Sequence, residues 1–207
     1  VTKEPEKRTE FDFEVSLKNA GFRYDKFPYA VTNAKGQIFV KRDTIEIAKV
    51  KGVHGKTEVT VDGTVSRKKL GTGFDLEISA LGAMLDEDFQ KAVEKLPKAH
   101  KVWKSFSPEG KADIKLLLTK LPGTSDLDYS LTLKAHGMSI YPEAFPYRFR
   151  GITGTTTVTP GHVVLKSVKA QNGKMTAVIS GDVIQDANGE KGTLSISARN
   201  LSVDKEL

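Results

Sequence analysis

The chain has 207 residues, 38% of them hydrophobic and 28% charged, with a formal net charge of +6 and no cysteine. That length can bury a sizeable core in one or two domains, and the composition excludes a disordered chain. Without cysteine there are no disulfides or thiolate metal sites, and no apolar run is long enough for a transmembrane helix.

In chain order, the opening VTKEPEKRTE carries no signal peptide and reads as the end of a strand. The chain is therefore expected to be cut from something longer. Residues 10–18 alternate apolar and polar, which predicts a strand with one apolar face. A turn is expected over 19–21, then strands over 22–29, 37–40, 44–50, 57–65 and 74–80, with Gly63 marking a bulge or bend. Residues 86–106 are the only long stretch with helical spacing: Phe89, Val93, Leu96, His100 and Trp103 share one stripe. Asp86 is the expected N-cap, and Pro97 divides the segment into two helices, 86–96 and 97–106. Beyond a turn at 107–110, strands are expected over 112–119, 127–134, 145–149, 155–159, 162–170, 174–183 and 193–198. Asn172-Gly173 and Asn188-Gly189 read as hairpin turns.

The two sides of the helical segment are copies. Shifted by 118, residues 27–89 lie on 145–207 without a gap, with 17 of 63 positions identical. About four identities are expected by chance from typical residue frequencies. Gly36, Gly55, Gly63 and Gly71 meet Gly154, Gly173, Gly181 and Gly189, so the same turns recur in the same order. Upstream, a shift of 116 sets Phe11 and Phe13 on Leu127 and Tyr129. The expected fold class is all-β with a short helical connector: two tandem antiparallel β-meander repeats forming an elongated, curled sheet or groove. The boundaries are 1–85 for copy one, 86–107 for the connector and 108–207 for copy two.

The form L-S-x-S-A-x-x-L-x-x-D-x-x-L fits residues 194–207, and its counterpart near residue 76 leads into Leu96-Pro97, Trp103, Ser107-Pro108-Glu109-Gly110 and a new strand. That order resembles the AsmA-like family of bacterial envelope proteins, similar in architecture to the repeating β-groove lipid-transfer proteins. The usual N-terminal membrane anchor of that family is missing from this sequence, and family members are usually much longer. The resemblance implies an interior segment of a periplasmic, inner-membrane-tethered protein, involved in intermembrane lipid transport or outer-membrane assembly. It implies no catalytic residue and no cofactor. The implied partners are lipids or phospholipids and neighbouring repeats of the same longer chain.

Other motifs read as structural. Phe89, Trp103 and Phe106 beside five lysines could rest on an anionic membrane, but Pro97 interrupts that face, so a cap over the sheet is the expected role. None of His54, His100, His136 and His162 has a metal-ligand neighbour at helix or turn spacing, and they read as surface histidines. Gly71-Thr72-Gly73 and Gly151-Ile152-Thr153-Gly154 lack the lysine of a phosphate loop and read as connecting turns. Asp86-Glu87-Asp88 is helix N-terminal charge rather than an acid/base pair. Asp204-Lys205-Glu206-Leu207 has an internal counterpart at 86–89 and is not a retention signal. The lysines are scattered along the chain, so a nucleic-acid partner is not expected.

The reading is thus a non-enzymatic carrier or conduit for acyl chains. Its expected lining in copy one is Phe11, Phe13, Val15, Leu17, Ile38, Val40, Ile45, Ile47, Val61, Phe74, Leu76 and Ile78. In copy two it is Tyr129, Leu131, Leu133, Val163, Leu165, Ile179, Leu194 and Ile196. The rival is a scaffold of tandem β-sandwich repeats whose apolar faces bury each other.

Overall fold

A computed structural model describes residues 12–143, 147–186 and 189–200. Alternation of apolar and polar residues runs through eleven strands: β1 (Phe13–Tyr24), β2 (Phe27–Val40), β3 (Thr44–His54), β4 (Thr57–Lys68) and β5 (Gly71–Leu85), then β6 (Gly110–Lys120), β7 (Asp128–Ile140), β8 (Phe149–Thr159), β9 (His162–Asn172), β10 (Met175–Asp186) and β11 (Gly189–Arg199). They form one antiparallel sheet in sequence order, with β1 and β11 at its two edges. Ten interstrand spacings make the sheet about 48 Å wide.

Two helices, α1 (Glu87–Val93) and α2 (Pro97–Phe106), separate β5 from β6. The Asp86 side chain accepts a hydrogen bond from Phe89 N at 3.1 Å, and Pro97 opens α2 where its missing N–H costs nothing. Although the helices interrupt the chain, β5 and β6 pair across them, Leu76 opposite Leu118 and Ile78 opposite Leu116. The two copies therefore share one continuous sheet.

Their repetition extends to the backbone. The bounds of β3 and β4 shifted by 118 are those of β9 and β10. Left-handed backbone recurs in matched pairs: Asn33 and Gly151 (φ 54° and 59°), Lys49 and Ser167 (46° and 49°), Gly82 and Asn200 (65° and 55°). The bulge at Lys49 is held by its N–H donating to Asp62 Oδ1 at 3.0 Å, and the one at Ser167 by its N–H donating to Ser180 Oγ at 3.1 Å. His54 Nδ1 lies 2.7 Å from Ala30 O, and the matching Asn172 Nδ2 donates to Arg148 O at 2.7 Å. Different side chains thus fill the same bonding role. Gly63 and Gly181, at φ 135° and 147°, lie so close to the next strand that a Cβ would strike Asp75 O or Thr193 O. Phe145 and Pro146, counterparts of Phe27 and Pro28, lie outside the described residues, as do Asn188 and the segment 201–207.

Three expectations need correction. Residues 19–21 are not a turn: β1 runs through them with register shifts at Ala20 and Phe22, and the chain reverses at Asp25-Lys26 instead. The expected strand 22–29 is therefore two strand ends. Gly71 to Gly73 opens β5, and 151–154 lies within β8, where Gly151 accommodates a bulge rather than a reversal.

Candidate functional site

Directly opposed residues of an antiparallel pair point to the same side, so the register assigns every strand residue to a face. Phe13, Val40, Ile45, Val65 and Phe74 form one row across five strands. Val15, Ile38, Ile47, Gly63, Leu76, Leu118 and Tyr129 form the next. Val61, Ile78, Leu116, Leu131, Val158, Val163 and Val183 make a third. A fourth runs from Val59 and Ala80 through Ile114, Leu133, Thr156, Leu165 and Gly181 to Leu194. Leu17 opposes Gly36, and Ile179 opposes both Val168 and Ile196. All of the expected lining residues that the structure describes therefore stand on one face. Phe11 lies outside the described residues.

The helices cover only one end of that face, where β2, β4, β8 and β10 begin and β5, β7 and β9 end. Under them a row of small residues, Ala83, Ala112, Ala135 and Gly154, crosses four strands. The three alanines are buried. Small side chains leave the space that Phe89 and Trp103 fill, their rings stacked with centroids 5.8 Å apart. Phe89 also meets Phe27 and Tyr29 edge-on at 5.7 and 5.5 Å, so it belongs to both buried clusters. Tyr29 stacks on His54 at 3.7 Å and donates to Thr57 Oγ1 at 3.3 Å, and burial raises its pKa above the ordinary value. The Thr57 hydroxyl in turn donates to Gly82 O at 3.4 Å. His54 is thus a half-buried packing residue rather than the expected surface one.

Among the described residues, no layer covers the bulky rows away from the helices. None of the described lining candidates is buried. Phe13, Val15, Leu194 and Ile196 are 58%, 43%, 48% and 63% exposed, and the others are half-buried by neighbours in the sheet. The opposite face is mostly polar. There Lys115 Nζ reaches Glu77 Oε1 at 2.9 Å and Thr132 Oγ1 lies 3.4 Å from Thr157 Oγ1. Also on that face, Asp113 of β6 ties three strands together. It accepts from Gly82 N at 2.8 Å and lies 2.7 Å from His136 Nε2. Those contacts hold its carboxyl below the usual carboxylate range, the Gly82 bond contributing most.

The sequence reading singled out bulky alternating residues and so missed the alanine row and the double role of Phe89. The alanines do continue the alternation of β6 and β7, which is the signal that was there to be followed. Among the described residues no three potential ligands cluster around a metal position, and no helix is long and apolar enough to cross a membrane. Comparison with family models, with curated proteins and with solved structures finds no match.

Proposed function

We propose that the uncovered part of the apolar face binds lipid acyl chains, and that the chain serves as a non-enzymatic carrier or conduit segment. The observation that carries this reading is the contrast on one face. Its helix end is buried, whereas Phe13, Val15, Ile38, Ile47, Leu131, Leu165 and Leu194 form connected rows that no second layer among the described residues covers. A sheet with one apolar face needs a cover, and this face supplies far more width than the two short helices span. An acyl chain laid along the rows gains about 25 cal/mol per Å² of apolar surface removed from water. Rows that cross as many as eight strands, about 34 Å of sheet, suit a path better than a pocket. The resemblance to AsmA-like proteins supports the same reading and, with it, a periplasmic setting and phospholipid as the ligand. A self-buried scaffold accounts for the helix end alone.

The test is native mass spectrometry and lipid extraction of the purified chain, repeated with Val15→Asp, Ile47→Asp, Leu131→Asp and Leu165→Asp made separately. Phospholipid should accompany the parent and fall in each variant, while circular dichroism stays that of a folded β-protein. A lipid-free parent, with variants that unfold because an unpaired charge is buried, would favour the scaffold.

A further inference from the structure

We propose that the outer side of α2 docks on an anionic phospholipid surface, with Lys98, Lys101 and Lys104 on the headgroup phosphates and Val102 and Phe106 at the acyl boundary. This surface is separate from the strand face, and the inference holds whether or not that face carries lipid. Of the three aromatic residues expected to cap the sheet, Phe89 and Trp103 turn inward and stack, while Phe106 stays 45% exposed. Ala99, His100 and Trp103 make the inward side of α2, and no residue of the helix is fully buried. Val102, 59% exposed, lies one turn from Lys98 and one turn from Phe106, so the three stand in one outward line. Lys101 and Lys104 are exposed beside it. Packing on the sheet accounts for Trp103 and leaves Val102 and Phe106 without a role. Pro97 opens the helix ahead of this line and does not interrupt it.

Charge selects the partner. Residues 95–106 hold four lysines and no acidic residue, whereas 86–94 hold four acidic residues and one lysine. Positive charge is thus gathered on α2 rather than shared by the helix pair. A nucleic acid or an acidic peptide would engage the lysines and leave Val102 and Phe106 in water. A phospholipid surface takes both kinds of side chain, as interfacial helices require. The helix is also fixed in place. Phe106 O accepts from Tyr141 N at 2.7 Å and Ser105 O from Glu143 N at 2.8 Å, which ties its last turn to the chain leaving β7. The outward line is therefore presented by an anchored helix, and docking leaves the cap beneath it intact.

The test is flotation of the whole chain with vesicles of phosphatidylcholine alone or of phosphatidylcholine mixed with phosphatidylglycerol. The chain should float with the mixed vesicles, stay behind with phosphatidylcholine alone, and be released as salt screens the charge. Each lysine at an anionic surface contributes about a fivefold gain in partitioning. Lys98→Gln with Lys101→Gln should therefore raise the lipid needed for half-binding about 25-fold. Lys134→Gln with Lys166→Gln makes the same charge change at exposed lysines of the polar face and should raise it less than about threefold. Val102→Asp, at a side chain that solvent already reaches, should weaken binding about tenfold with circular dichroism unchanged. Failure to float with the mixed vesicles, equal flotation with both kinds, equal losses from the two lysine pairs, or indifference to Val102→Asp would each overturn the proposal. So would flotation that survives the α2 variants and is abolished by Leu165→Asp, since the contact would then lie on the strand face. None of these outcomes depends on the lipid that accompanies the purified chain, so the two proposals fail separately.

Discussion

The strands β2 to β5 and β8 to β11 make the same turns and bulges at matched positions, yet the first set is the more deeply buried, and the outer strands of the second expose Ile184, Leu194 and Ile196. Val59 of β4 is buried with Tyr29, Val31 and Ala92, beneath a helix that begins where β5 ends. At the matching places of copy two, Tyr147 and Phe149, the counterparts of Tyr29 and Val31, are only half-buried. The outer edge shows the same contrast, since β5 is flanked by β6 and β11 by nothing among the described residues. A backbone template and its cover are therefore separable in this molecule. The glycines and bulges reproduce the strands, whereas burial depends on what is laid upon them.

The largest expected effect comes from placing one charge at matched positions. Leu76→Asp should cost about 2–4 kcal/mol in urea denaturation, because β4 and β6 flank it, whereas Leu194→Asp should cost less than about 1 kcal/mol. Equal costs would break the comparison. A second difference lies in the latch on Gly82, which Asp113 of β6 supplies in copy one; Asn200, at the matching place, follows an edge strand. Asp113→Asn should cost about 1 kcal/mol at neutral pH, a charge-assisted bond discounted for its partial exposure. The carboxyl's pKa is lowered on folding from the ordinary value of 3.8. Its stabilisation is therefore complete above that value and is lost as pH falls through the depressed one. Acid titration of the denaturation midpoint should show a steeper loss below pH 3.8 in the parent than in Asp113→Asn. The smallest effect is expected from His54→Asn, which installs the residue of copy two. It should keep the bond to Ala30 O and lose the stack on Tyr29 and the 4.0 Å approach to Asp88, together about 0.5–1 kcal/mol in thermal melts. A larger loss would mean that the two positions are not equivalent.

The strands, the helix pair and the common face were readable from the sequence because each rests on residue periodicity. Alternation in β4 and β5, three- and four-residue spacing around Phe89, and glycines at fixed offsets are local signals. The bulges at Asn33, Lys49 and Ser167 were not readable, since none of these residues demands positive φ; hydrogen bonds from a neighbouring strand hold two of them there. The same limit explains the misplaced turn at 19–21, where Asn19 and Gly21 suggested a reversal that the pairing of β1 with β2 overrides. For the candidate site, parity along each strand sufficed to group Val15 with Ile47 or Leu131 with Leu165. Which rows lie beneath the helices depended on Ala83, Ala112 and Ala135, and an alanine announces nothing about what will rest on it.

Every strand of this sheet bonds only to its immediate predecessor and successor in the chain. A strand leaving the ribosome therefore finds its partner already made, and assembly can advance from one end like a zipper without waiting for distant sequence. The longest delay falls between β5 and β6, where α1 and α2 must emerge first. During that interval the edge of β5 stands bare, with Leu76 and Ile78 uncovered. That pause is the moment at which a growing chain is most open to capture by a stray strand.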